Sequence, residues 1–137
     1  MKNHRKIFGF TVIEMLITVV ILGILAAVAV GLYAPYSLKS RRADGVNAIL
    51  NIQLSEERYR STNSTYGSLA QLGLSTTSPQ GYYTLTTSNV GATTYTITAT
   101  GTGTQANDTE GATACSPLVL TVSGTTSTPT PAACWPS

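Results

Sequence analysis

The chain has 137 residues, enough for one ordinary core and too few for two. Hydrophobic residues make up 42% of it and charged ones only 10%, against about 25% in an average soluble protein, so hydroxyls rather than charges keep most of its surface wet. His4 is the only histidine, and Cys115 and Cys134 are the only cysteines. If the N-terminal tip that carries His4 is removed, every His-dependent nucleophilic mechanism and most metal sites lack their parts, and the chain reads as a non-enzyme without cofactor or metal.

The formal charge of +2 belongs to the N-terminal tip: Lys2, Arg5 and Lys6 lie in the first nine residues, and beyond them five basic groups face six acidic ones. Val12 to Leu32 then reads VIEMLITVVILGILAAVAVGL, long enough as a helix to cross a hydrocarbon core of about 30 Å. Three positive charges before the span hold that end in the cytoplasm and send the C-terminal bulk outward. A cleaved secretory signal is the competing reading, since Ala27-Val28-Ala29 imitates a small-x-small cleavage site. Glu14 argues against it. An acidic side chain within the apolar run costs up to ~3 kcal/mol, less near a helix end, and a disposable signal has no use for that cost.

Beyond the span, Pro35 is expected to kink the helix or end it, with a kink preferred. A basic patch, Lys39-Ser40-Arg41-Arg42, follows and reads as a stop-transfer signal that meets lipid headgroups or neighbouring subunits. Helical periodicity resumes with Ala43, Val46, Leu50 and Leu54 on one stripe and Ile49 beside it, while Asp44, Glu56 and Arg58 fall mostly elsewhere. Glu56-Glu57 are assigned to a solvated face, because consecutive helical positions point apart and no nucleophile accompanies them. The helix is expected to end at Ser61-Thr62-Asn63-Ser64. Tyr66, Leu69, Leu72 and Leu74 suggest a short helical turn laid on the head.

Tyr82–Thr87 and Thr94–Thr100 alternate apolar and hydroxyl residues around a turn containing Asn89 and Gly91, which is a hairpin pattern, and Leu118–Val122 supplies a third strand. The three are expected to form one antiparallel sheet whose apolar face (Tyr83, Leu85, Tyr95, Ile97, Leu118 and Leu120, or their alternates) covers the amphipathic helix. The fold class is α+β: a long N-terminal helix, half membrane span and half amphipathic, packed on a small antiparallel sheet. Residues 101–114 and 125–133 are rich in Gly, Thr, Ser and Pro and read as loops. Cys115 and Cys134 bracket the last strand, and in an oxidising compartment they are expected to pair, with a free pair or intermolecular bonding as the alternatives.

Gly9-Phe10-Thr11-Val12-Ile13-Glu14, set between a basic leader and an apolar helix, closely resembles the N-terminus of type IV prepilins. EERYRSTNSTYGSLAQLG, GYYTLTT, YTITAT, Cys115, LVLTV and Cys134-Trp135 are similar to the PilE-like minor pilins and their relatives, among them ComP-like DNA-uptake receptors. The resemblance implies a leader at residues 1–9, a transmembrane and filament-core helix at 10–35, and a periplasmic pilin head at 36–137. It implies cleavage between Gly9 and Phe10 by prepilin peptidase, N-methylation of Phe10, and a role for Glu14 in subunit assembly. The implied partners are other pilin subunits and an inner-membrane assembly platform. The implied course runs from single-pass inner-membrane protein to extracellular pilus, serving assembly, adhesion, twitching motility or DNA uptake. Pilins usually carry proline where Gly31 stands here, so Pro35 shifts the expected bend.

Two other readings stand beside the structural subunit. A DNA-binding pilin needs cations for phosphates, yet residues 61–137 contain no Lys or Arg, which leaves Arg58 and Arg60 at the end of the helix as the candidate contacts, besides Lys39, Arg41 and Arg42 near the membrane. A type II secretion pseudopilin shares the N-terminal logic, but its calcium-binding loops need several carboxylates, and only Asp108 and Glu110 follow Glu57. Tyr82, Tyr83, Tyr95 and Trp135 are assigned to core filling rather than to a stacking platform.

Overall fold

The computed structural model describes residues 9–136, side chains at 30–32 excepted. The chain divides into two compact units, Met1–Ala34 and Pro35–Ser137. Helix α1 is assigned from Val12 to Arg60, with Pro35 inside it. Its start is set by Thr11, whose hydroxyl accepts the Glu14 N–H at 3.3 Å, and an acidic residue in the first turn suits the positive end of the helix dipole.

In the first unit, Val12–Ala29 is long and apolar enough to cross a membrane by length and composition, and every described side chain along it is exposed. Among the described residues nothing covers this segment, and apart from Glu14 and Thr18 it is apolar on all sides rather than amphipathic. A helix of that kind is stable only in lipid or among other apolar helices.

In the second unit, α1 ends where the polar run begins. The carbonyl of Arg58 accepts the Ser61 hydroxyl, and that of Tyr59 accepts the Thr62 hydroxyl and the Asn63 amide at 3.2 and 2.8 Å. These side chains satisfy carbonyls that have no intrahelical partner. One α-turn follows, Leu72 N–H to Ser68 O at 3.0 Å, with Tyr66 and Leu69 buried beside it.

The sheet runs β1 (Tyr83–Ser88), β2 (Thr94–Gly101), β5 (Leu118–Ser123), β6 (Thr126–Thr130), antiparallel throughout. A separate two-stranded ribbon joins β3 (Thr109–Glu110) to β4 (Thr113–Ala114). Leu85, Ala99 and Leu118 lie side by side across three strands, as do Thr87, Ile97 and Leu120. The expected apolar face is the buried one: Tyr83, Leu85, Tyr95, Ile97, Leu118 and Leu120 belong to the core, joined by Ala99 and Val122. Tyr83 and Tyr95 are fully buried, which makes them core aromatics and not a stacking surface.

Three expectations need correction. The buried helix face is Val46, Ile49 and Ile52, flanked by Ala48, whereas Ala43, Leu50 and Leu54 are exposed; the stripe is turned by about one residue. Glu56 is on the buried face, fully enclosed, while Glu57 beside it is exposed. Residues 126–130 form an edge strand, and residues 101–114 contain the ribbon and a 3-10 turn at Gly103–Asn107. The edge strand escapes a pattern search because both of its faces are open, so it has no alternation, and Pro129 is tolerated at a sheet edge. Its turn was nevertheless signalled: Ser123 pairs with Thr126, and Gly124, at φ 60°, occupies the first position of the two-residue loop, where a left-handed residue is required.

Candidate functional site

Gly9 and Phe10, the expected cleavage and methylation positions, precede the helix and are exposed, Phe10 by 78%. The rest of the expected leader, residues 1–8, lies outside the described residues. Glu14 stands one turn further on and is exposed. Thr18, the other polar residue of the early span, donates its hydroxyl to the Met15 carbonyl at 2.8 Å and so needs no outside partner. Glu14 is thus the one ionisable group on the described apolar helix.

The basic patch is split: Lys39 and Ser40 are exposed and Arg41 is half-buried, whereas Arg42 is buried. Arg42 grips Asp108 with two donors, Nε to Oδ2 at 2.7 Å and Nη2 to Oδ1 at 2.9 Å, and its Nη1 reaches Glu110 Oε2 at 2.9 Å. Both sides of the first pair are enclosed, at 7% and 1% side-chain exposure. Planar guanidinium and carboxylate match in such a two-pronged contact, and Asp108 holds the guanidinium even more firmly charged than usual, raising its pKa despite the opposing effect of burial. Lys39 Nζ meets the other oxygen of Glu110 at 2.8 Å. That contact, and then Arg42, hold the Glu110 carboxyl below its ordinary value. Arg41 lies 4.8 Å from the centre of the Tyr82 ring. Of the patch expected to meet headgroups or neighbouring subunits, Arg42 is the residue turned inward: it ties α1 to the β3–β4 ribbon, because enclosed Asp108 would otherwise be left without a partner, and Lys39 adds an exposed contact to Glu110.

A second set of acceptors, of which Asp44 and Glu56 are buried, lies along α1. Asp44 accepts the Ser78 hydroxyl and the backbone N–H groups of Gln80 and Tyr82, the last two at 3.1 and 3.4 Å. Glu56 Oε2 accepts the Gly67 N–H at 2.8 Å while Oε1 is buried with no partner. Burial raises the Glu56 pKa, partly offset by the Gly67 hydrogen bond. Glu57 Oε1 accepts the hydroxyls of Tyr66 and Tyr95 at 3.2 and 3.4 Å. Both phenols are shifted upward, chiefly by burial and then by Glu57. None of these anchors was read from the sequence. The signal for Glu56 was its spacing, four residues past Ile52 and seven past Ile49.

The two candidate DNA contacts differ in kind. Arg60 is committed to the fold: Nε donates to the Ala92 carbonyl at 3.0 Å and Nη1 to that of Asn63 at 2.8 Å. Arg58 is exposed and, among the described residues, makes no ion pair; it borders a shallow groove with Ser55, Tyr59, Gln71 and Leu72. Cys115 and Cys134 form a disulfide with Cα atoms 5.5 Å apart. It joins the start of the last core strands to the turn at Ala132–Cys134, and Trp135 packs partly buried beside the core.

An exposed apolar helix and an α+β head, closed by a C-terminal disulfide, define a pilin-like fold with a membrane-anchoring N-terminus. The prokaryotic N-terminal methylation motif matches residues 4–30. The family described as "Type IV minor pilin ComP, DNA uptake sequence receptor" matches residues 32–119, more than half of the chain, and the chain belongs to this family of type IV minor pilins. Among curated proteins it is similar to a type IV major fimbrial protein FimA of Dichelobacter nodosus, 45% identical over 58 residues that cover 41% of this chain and 35% of FimA. A second FimA of the same organism is 49% identical over 47 residues, covering 34% of this chain and 28% of FimA, and a protein named "Fimbrial protein" matches to the same extent. The chain spans about a third of the length of the curated relatives it matches. Pilins are structural proteins, assembled with other pilin subunits.

Proposed function

We propose that this chain is a noncatalytic subunit of a type IV pilus. A prepilin peptidase cuts it between Gly9 and Phe10, Phe10 is then N-methylated, and the subunit waits in the inner membrane with its C-terminal head in the periplasm. An assembly platform later extracts it into the filament. The observation that carries this reading is Glu14: an exposed carboxylate one turn from Phe10 on a helix that is otherwise apolar and uncovered. A carboxylate entering a dry filament core needs a cation, and the new ammonium on Phe10 of a neighbouring subunit supplies one. Gly23, Ala26, Ala27 and Ala29 let helices approach closely in that core. The test is a Glu14→Ala and Gly9→Leu pair scored separately for leader processing and for pilus incorporation. Gly9→Leu should block processing, and Glu14→Ala should leave the protein processed but unincorporated. Full incorporation of Glu14→Ala refutes the pairing.

The family description favours a second reading, a DNA-uptake receptor, which would rest on Arg58 with help from Arg60. A low-salt mobility-shift assay separates the two: retention that disappears in Arg58→Glu supports reception, and no retention at low salt removes it.

A further inference from the structure

Between Thr11 and the end of the first unit at Ala34, only Glu14, Thr18 and Tyr33 carry a polar side chain. Thr18 is satisfied inside the helix by the Met15 carbonyl, so it is compatible with hydrocarbon. Glu14 and Tyr33 are not satisfied in this way. Tyr33 is 71% exposed, and neither side chain has a hydrogen-bond partner among the described residues. They stand nineteen positions apart (33 − 14), which at a rise of about 1.5 Å per residue is roughly 28 Å along the axis. The hydrocarbon core of a bilayer is about 30 Å thick.

We propose that Glu14 and Tyr33 are the two interfacial anchors of the unassembled subunit, each set at the headgroup level of one leaflet, with the residues between them filling the hydrocarbon. The inference rests on the reading of the chain as a membrane-stored pilin. Helical side chains lean toward the N-terminus, so the Glu14 carboxylate is carried away from the hydrocarbon toward water and lipid ammonium groups. By the same lean the Tyr33 ring lies back along the acyl chains, and its hydroxyl donates to the ester oxygens at the inner edge of the headgroup layer, where tyrosine is enriched in membranes. Phospholipid headgroups are the occupants because the two unsatisfied polar side chains of this unit stand at a spacing that matches a bilayer at both ends. In this arrangement Glu14 is not stranded in oil before assembly. It loses its hydration only on extraction, when a neighbour's ammonium becomes available.

The test uses the full chain in permeabilised vesicles of phosphatidylethanolamine and phosphatidylglycerol, with single cysteines introduced as Ile13→Cys, Ile17→Cys, Ala29→Cys or Ala34→Cys. Cys115 and Cys134 are bonded to each other and do not compete for a water-soluble maleimide. The cysteines at 13 and 34 should label at least tenfold faster than those at 17 and 29. Adding Tyr33→Leu should slow position 34 to the rate of position 29, and adding Glu14→Leu should slow position 13 to that of position 17. A flat profile, unchanged boundaries in those variants, or rates that depend on the protein-to-lipid ratio would each overturn the proposal, the last by showing contact with a second copy. A normal labelling profile combined with failed pilus incorporation of the wild-type chain refutes the pilin reading instead. Normal incorporation with a flat profile refutes the anchors alone.

Discussion

The Arg42–Asp108 pair should dominate the stability of the head, and the contrast with Lys39 makes that claim measurable. Replacing Arg42 with Ala removes both donors from a carboxylate that is 1% exposed. Breaking a buried pair from one side costs about 3–5 kcal/mol, since the remaining charge stays enclosed. Lys39 makes a contact of the same kind to Glu110, but its side chain is 59% exposed, and such a pair contributes about 0–1 kcal/mol. The assay is urea unfolding of the full chain in detergent, followed by tryptophan fluorescence of Trp135, which packs against the core beside the disulfide. Arg42→Ala should lower the midpoint several times more than Lys39→Ala. The double variant Arg42→Met with Asp108→Leu should recover much of the loss, because it removes the stranded charge along with its partner. Equal effects of Arg42→Ala and Lys39→Ala would refute the reasoning, as would a double variant less stable than Arg42→Ala.

The helix phase predicts that Ile49→Ala costs about 2–5 kcal/mol, while Leu50→Ala, at a side chain 48% exposed, costs far less in the same unfolding assay. Glu56, whose carboxyl is raised by burial, binds protons more readily in the folded chain than in the unfolded one, so its contribution to stability is greatest below the ordinary carboxylate range and is lost as pH rises through the raised value. Midpoints of wild type and Glu56→Gln measured from acid to neutral pH should therefore show wild type gaining on the variant as pH falls. A Cβ at Gly45 would stand 2.9 Å from the Tyr83 ring in the core, so Gly45→Ala should destabilise by about 1–3 kcal/mol; Gly45→Ala with Tyr83→Leu should cost less than the two changes summed.

The elements that a pattern search finds are those whose two faces differ. β1, β2 and β5 alternate because one face packs on α1, and their bounds came out within a residue or so of expectation. The apolar span needs only length. The amphipathic half of α1 was harder, because two apolar ladders share Val46: one continues through Leu50 and Leu54, the other through Ile49 and Ile52. The second is the buried one, but it opens next to Arg42 and ends at Glu56, charged residues that appear wrong for a core until their partners are known. Those partners are Asp108, 66 positions along the chain, and the backbone of Gly67. Local periodicity carries no information about such pairings. The same is true of Asp44, whose acceptors are consumed by a connection that has no period of its own.

The way the cations are used bears directly on DNA reception. Of the five basic residues beyond the leader, Lys39 and Arg42 neutralise Asp108 and Glu110, Arg41 lies against Tyr82, and Arg60 holds two backbone carbonyls. Arg58 remains exposed, and part of Arg60 can still be offered to a phosphate. Each neutralised phosphate contributes about −0.9 to the slope of log affinity against log salt on double-stranded DNA. One to two contacts per head give a slope of roughly −1 to −2, where proteins that rely on six to ten contacts lose about three to five decades of affinity between low and moderate salt. The salt slope of the full chain thus counts the cations that DNA engages. A slope steeper than about −2 per bound subunit requires that DNA strips Arg42 or Lys39 from its carboxylate, that Arg41 turns from Tyr82 to a phosphate, or that cations outside residues 9–136 take part. The first route would release Asp108 and loosen the β3–β4 ribbon, so it predicts that Asp108→Asn strengthens DNA retention while it weakens the fold. Stronger binding and lower stability in one variant would mark the ribbon as the DNA face, and unchanged binding would leave Arg58 as its centre.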